Sequence, residues 1–213
     1  MAQRRWHQFA AWRFVFAVAA VLASNVSGLG AWAGPQRLDA ARLMNDLMAG
    51  RGPIGGPFSL TDQRGQPAGP AQWRGKIVLL YFGYTSCPDA CPTDLAAIGA
   101  AIEALGPLGL EVQPVFITLD PSRDKAEVIG PYAESFHPRF AALRGSEAQT
   151  REVATAYKVY FERVSKPGTD QYFIDHTSFT YVLDTDGNYA GFFPPGTSGT
   201  RMAERVRAMV STR

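Results

Sequence analysis

Apolar residues fall into two kinds of run along this chain. Residues 77–84 and 112–119 are almost unbroken apolar stretches rich in β-formers. They lack the alternation of a half-exposed strand and read as strands buried on both faces of a sheet. Residues 58–62, 179–184 and 189–193 are shorter strand-like runs. A turn over 63–66 follows the first, and Asp186-Gly187 turns the last two into a hairpin. Between these runs the apolar spacing fits helices over 93–105, 123–136, 147–157 and 200–210. Residues 159–164 and 171–174 flank Pro167-Gly168 and read as a further, inserted hairpin. The order is strand, then strand–helix–strand, then helices, then strand–strand–helix. That suits an α/β domain with a central sheet, helices on both faces and a hairpin as its last two strands. There is no internal repeat and no low-complexity tract.

Before residue 57 the pattern is different. Arg4 and Arg5 make a basic start, residues 14–23 are apolar, and no acid occurs before Asp39. Ala31-Trp32-Ala33 fits the small-x-small pattern of a signal-peptide cleavage site, with Gly34 as the new N-terminus. Residues 14–36 also carry no charge, which is long enough for an uncleaved membrane anchor. Both readings of residues 1–33 carry the rest of the chain across a membrane. For a bacterial chain that means the periplasmic side of the inner membrane, tethered or soluble. Residues 34–56 read as a tether. Leu38, Ala41, Met44, Leu47 and Met48 form a short amphipathic stripe on it, and the glycines and prolines of 50–57 break that stripe. Residues 57–213 form the expected domain.

Charge narrows the choice of partner. The whole chain has a formal charge of +2, but residues 1–33 hold Arg4, Arg5 and Arg13 and no acid, so without them it is −1. The exported part is near neutral and has no clustered basic face, which argues against a nucleic-acid partner. Its roughly 180 residues suit one domain with a full core.

The chain has two cysteines, Cys87 and Cys91, in Tyr84-Thr85-Ser86-Cys87-Pro88-Asp89-Ala90-Cys91-Pro92. They fall between the first buried strand and its helix, and a redox-active or metal-binding pair at that junction points to a thioredoxin-like fold. Two cysteines cannot form a disulfide scaffold; in an oxidising compartment they pair with each other unless a metal or a reductant keeps them open. Pro92 at the first helical position would put Cys91 at or near the N-cap and Cys87 in the preceding loop, and the helix N-terminus should favour the Cys91 thiolate.

A third ligand candidate is His176, in Asp175-His176-Thr177-Ser178 ahead of the strand at 179–184. In a thioredoxin-like sheet the loop entering that strand faces the cysteine loop. Two thiolates and an imidazole suit copper, Cu(I) through the thiolates and Cu(II) with the imidazole. Zinc would accept the same set with one further ligand. Asp175 is a candidate to orient His176, and Asp89 to meet a partner or the helix end. Asp120, Arg123 and Asp124 read as caps of a helix beginning near Pro121. His137, before Pro138, reads as structural. Met44 and Met48 read as part of the amphipathic stripe rather than as copper-binding thioethers.

Three motifs carry a resemblance to a known family: Tyr81-Phe82-Gly83-Tyr84-Thr85-x-Cys87-Pro88-Asp89-x-Cys91-Pro92-Thr93, Leu119-Asp120-Pro121-x-Arg123-Asp124 and Asp175-His176-Thr177-Ser178. In that order and spacing, from about Phe58 to the C-terminus, the chain resembles the Sco/SenC family. The resemblance implies a thioredoxin-like fold, copper bound by Cys87, Cys91 and His176, and service in assembling the dinuclear copper centre of cytochrome c oxidase subunit II. The departure is N-terminal, where the family's usual single anchor is ambiguous. The expected function is thus an exported copper metallochaperone, a carrier rather than an enzyme. Its partners would be subunit II as acceptor and an upstream periplasmic copper donor or thiol reductant. The rival is a thiol–disulfide oxidoreductase that uses Cys87 and Cys91 as a redox disulfide to keep the acceptor's cysteines reduced. A peroxidase on the same fold would need one activated cysteine and would leave the pair with His176 unexplained.

Overall fold

A computed structural model describes residues 35–211, with side chains from residue 41 onward. The signal peptide or anchor expected over residues 1–33 lies outside the described residues. The chain divides into two compact units, residues 1–44 and 45–213. Helix α1 (Pro35–Met48) carries the described residues of the first. It spans the stripe read from Leu38 to Met48 and stops ahead of Gly50, whose φ of 78° is a helix-ending conformation.

Within the second unit the strands are β1 (Leu60–Asp62), β2 (Pro67–Ala68), β3 (Ile77–Gly83), β4 (Val112–Thr118), β5 (Ala141–Arg144), β6 (Phe161–Ser165), β7 (Tyr172–His176), β8 (Thr180–Leu183) and β9 (Tyr189–Phe193). Seven of them make one sheet in the order β2-β1-β5-β4-β3-β8-β9, while β6 and β7 pair only with each other. All seven residues of β3 are buried, which is why it reads as an unbroken apolar run. It pairs in parallel with β4, from Ile77↔Val112 to Gly83↔Thr118, and antiparallel with β8, Tyr81 opposite Thr180. The C-terminal ends of β3 and β4 and the start of β8 therefore reach the same edge of the sheet. In open α/β sheets the carboxyl edge is where ligands bind.

The helices are α2 (Ala90–Leu105), α3 (Ala126–Glu134), α4 (Glu147–Ala156) and α5 (Gly199–Ser211). Side chains alternate across β3. On one face Phe82 packs against Tyr157, just beyond α4, and against Tyr181, with ring centroids 5.6 and 5.8 Å apart. On the other face α2 buries Leu95, Ile98, Ile102 and Leu105. Helix α5 lies close against α2. A Cβ on Gly199 would come within 2.7 Å of the Ala97 carbonyl oxygen, so only glycine permits that approach.

Three elements differ from the pattern reading. Strand β5 carries no strand signal of its own; Ala141-Ala142-Leu143-Arg144 is extended because β4 and β1 pair with it from either side. The helix expected over 123–136 begins at Ala126, and no side chain caps it. Asp120, Arg123 and Asp124 do not cap it because they are engaged in the preceding loop. The helix after the cysteines begins at Ala90, earlier than Thr93. His137 is structural, as expected. Its Nδ1 accepts the Arg139 backbone N–H at 3.2 Å, and its Nε2 lies 3.2 Å from Glu103 Oε1 on α2.

Burial lowers the pKa of His137 more than Glu103 raises it. As pH falls through about 6.5, the unfolded chain takes up this proton before the folded one does, so stability is lost from there toward the lower folded value. His137→Asn keeps an acceptor for Arg139 and cannot titrate. Its melting temperature should fall less between roughly pH 7 and 5.5 than that of the wild type. Parallel melting curves would show that His137 is not held neutral.

Candidate metal centre

Cys87 lies in the loop after β3 and is half-buried, whereas Cys91 sits in the first turn of α2 with no exposed surface. Asp89 is the N-cap residue, and the Cys91 backbone N–H points at Cys87 Sγ, 3.5 Å away. The helix N-terminus therefore acts on Cys87. Cys91 is near the N-cap, as the sequence suggests, but the sulfur that the helix N–H meets is that of Cys87 and not, as expected, its own. With both thiols free, the Cys91 S–H hydrogen bond lowers the pKa of Cys87 against a smaller opposing effect of burial, and backbone N–H groups add to the lowering. Cys91 holds the proton for that bond and is buried, and both effects push its pKa up. In the metal-free pair the arrangement favours negative charge on Cys87 and the proton on Cys91.

His176 is the last residue of β7. Its Nε2 is 3.5 Å from Cys91 Sγ, and its Nδ1 is 3.1 Å from the Thr177 carbonyl oxygen. A carbonyl can only accept, so Nδ1 carries the hydrogen and Nε2 turns its lone pair to the sulfurs. The ring stands edge-on to Tyr81 and Tyr84, at centroid distances of 6.4 and 6.0 Å. The ligand atoms of Cys87, Cys91 and His176 lie within 4.8 Å of one another. One ion held by all three at about 2.3 Å from sulfur and 2.0 Å from nitrogen brings its donors to about 3.5–4 Å from one another. The 3.5 Å between Cys91 Sγ and His176 Nε2 already fits such an ion.

The surroundings fit a cation. Burial raises the pKa of Asp94, and both burial and the nearby Cys91 raise that of Tyr81. Tyr81 Oη and Asp94 Oδ2 are buried without a hydrogen-bond partner, while Asp94 Oδ1 accepts the Gly196 N–H at 3.0 Å. Gly83 leaves room for the sulfur: a Cβ there would lie 2.8 Å from Cys91 Sγ and 2.9 Å from Tyr81 Cε1. The cysteine loop is tied down by Asp124, which is buried. Its carboxylate accepts the Thr85 N–H at 3.0 Å, the Thr85 hydroxyl at 2.6 Å and the Thr118 hydroxyl at 2.6 Å.

The other candidates lie apart from this cluster. Asp175 is exposed, and the hydrogen-bond partner of the His176 ring is the Thr177 carbonyl. Asp89 caps with no side-chain hydrogen bond; its carbonyl accepts from Thr93. Met48 packs on the core, and Met44 is exposed. Reading the sequence alone passed over Gly83, Asp94 and the Thr85–Asp124 tie. A glycine inside an apolar strand is a signal of close approach. An acid on the second turn of a helix carries no comparable signal.

Comparisons with known proteins follow the same lines. Residues 47–211 match the family model SCO1/SenC. The SCO2-like protein RP587 of Rickettsia prowazekii is 47% identical over 66% of this chain and 69% of its own length. Protein sco1 of Schizosaccharomyces pombe is 32% identical over 95% of this chain and 80% of its own. The structure of Bradyrhizobium japonicum ScoI with copper bound is 36% identical, with a TM-score of 0.68 over 73% of this chain and 99% of that one. Similar structures thus hold copper, and this chain has a Cys-Cys-His group that could hold a metal.

The asymmetry of the two sulfurs is open to direct test. In reduced, metal-free protein at mildly acidic pH, iodoacetamide should label Cys87 and leave Cys91 unmodified, as read by peptide mass mapping. Equal labelling of both would contradict the assignment of the thiolate to Cys87.

Proposed function

The chain belongs to the SCO1/SenC family, and on that footing we propose that it is an exported copper metallochaperone delivering copper to the dinuclear copper site of cytochrome c oxidase subunit II. One observation carries the reading. His176, 85 residues from Cys91 in sequence, turns Nε2 toward its sulfur at 3.5 Å. A dithiol reductase needs no imidazole there, whereas a carrier of both copper states gains a nitrogen donor for Cu(II). Copper in related structures supports the choice of metal over zinc. In this reading copper is cargo held by Cys87, Cys91 and His176. Binding requires Cys91 to give up its proton, so uptake releases protons and weakens as pH falls. The basic, then apolar, then small-residue pattern of residues 1–33 supports export to the periplasmic side, cleaved or anchored. Residues 34–56 would then be the tether and 57–213 the copper-binding domain. An upstream periplasmic donor or reductant completes the scheme.

The second reading, a thiol–disulfide oxidoreductase for the acceptor's cysteines, is favoured by the unequal sulfurs. The half-buried Cys87, favoured as a thiolate, is placed to attack a disulfide, and the buried Cys91 thiol is placed to resolve the mixed disulfide.

Purified, reduced protein should bind one copper per chain by metal analysis after gel filtration. Cys87→Ala/Cys91→Ala should bind none tightly; full-strength binding by that variant would remove the site.

Delivery and reduction separate at His176. His176→Ala should weaken Cu(II) binding well beyond Cu(I) binding and leave the dithiol able to reduce a disulfide. In cells carrying only this variant at normal abundance under limiting copper, oxidase activity should collapse. Wild-type activity there would favour the reductase reading.

A further inference from the structure

The histidine hairpin is poorly attached by its own residues. Strands β6 and β7 pair only with each other, and of their ten residues only Ile174 is buried. An isolated two-stranded hairpin is marginal in water. Yet His176 at its end must meet sulfurs held on β3 and α2.

Tyr172, at the start of β7, supplies the attachment. Its hydroxyl donates to Asp120, at 2.9 Å from Oδ1 and 3.1 Å from Oδ2, and that carboxylate is fully buried. The Arg123 guanidinium lies 3.7 Å from the Tyr172 ring centroid and donates through Nη1 to the Tyr172 carbonyl at 3.1 Å, while its Nε bonds Asp120. Its Nη2 is buried without a hydrogen-bond partner, a cost that the ring stack must offset. Arg163, on β6, lies 5.2 Å from the same ring centroid and 3.7 Å from Asp120 Oδ1, and donates to Ser122 and Glu147. The Tyr172 ring is thus in contact range of two guanidiniums above one buried carboxylate.

Asp120 and Asp124 belong to the same short loop after β4. Asp124 fixes the cysteine loop through Thr85, and Asp120 fixes the hairpin through Tyr172. We propose that Tyr172, held by Arg123 and Arg163 over Asp120, is a positioning residue that sets His176 relative to the two sulfurs. The inference rests on the copper-site reading above. It predicts a selective effect: Cu(I) is well held by the two thiolates, whereas Cu(II) depends more on where the imidazole stands.

The test uses full-length purified protein. Cu(I) and Cu(II) affinities are measured by competition, and the Cu(II) form by electron paramagnetic resonance and thiolate-to-copper absorption. Tyr172→Leu should lower Cu(II) affinity by roughly 10- to 100-fold while Cu(I) affinity stays within about threefold. Its Cu(II) spectra should move toward those of His176→Ala. Arg163→Met alters a half-exposed side chain and should shift the spectra the same way by less. Unchanged Cu(II) affinity and spectra in both variants would overturn the positioning role. Equal loss of both copper states in both variants would overturn it too, by making the contact a support of the whole fold. If His176→Ala itself binds Cu(II) like the wild type, the ligand set has failed, and nothing remains for Tyr172 to position.

Discussion

The parallel register of β3 and β4 is the constraint on which the site depends. Gly83 stands level with Thr118, so the loops leaving the two strands begin side by side. One loop carries Cys87 and leads into the helical turn of Cys91, and the other carries Asp120 and Asp124. A slip of one residue would turn every side chain of β3 to the opposite face. Tyr81 and Gly83 would then leave Cys91, and Phe82 would leave its aromatic partners. The buried Asp124 carboxylate cross-links the strand ends by taking hydrogen bonds from Thr85 beyond β3 and Thr118 at the end of β4. Buried charge is tolerated only where such bonds replace water, and here they also fix the cysteine loop.

The second feature is unequal treatment of two chemically identical side chains. Cys91 is inside the first helical turn, and its sulfur fills the space left by Gly83. Cys87 is in the loop above, where the helix N–H reaches its sulfur. The helix dipole and the Cys91 proton both favour negative charge on Cys87. A metal cation held by both sulfurs and His176 Nε2 would take the place of that shared proton. The same asymmetry suits disulfide exchange, so one geometry accommodates both readings of the function.

Much of this was legible in the chain itself. Unbroken apolar runs announced β3 and β4, because strands buried on both faces have no polar positions to alternate. The cysteine spacing and the strand-to-helix junction announced a metal or redox site, and three motifs announced the family. Strand β5 was not legible, because its alanines are extended only by their neighbours' hydrogen bonds. The acids of Asp120-Pro121-Ser122-Arg123-Asp124 have the composition of a helix cap, and local sequence cannot say that their partners are Thr85 and Tyr172, tens of residues away.

Sequence by itself therefore determined the architecture, the family and the three residues with the right chemistry for copper, since periodicity and motif spacing are local properties. Only the tertiary structure decided which sulfur is favoured as the thiolate, which imidazole nitrogen faces the cysteines, and what holds the histidine in place. Those depend on burial, on hydrogen bonds between distant segments and on the close approach that Gly83 allows. Each is a relation between residues that the linear order does not bring together.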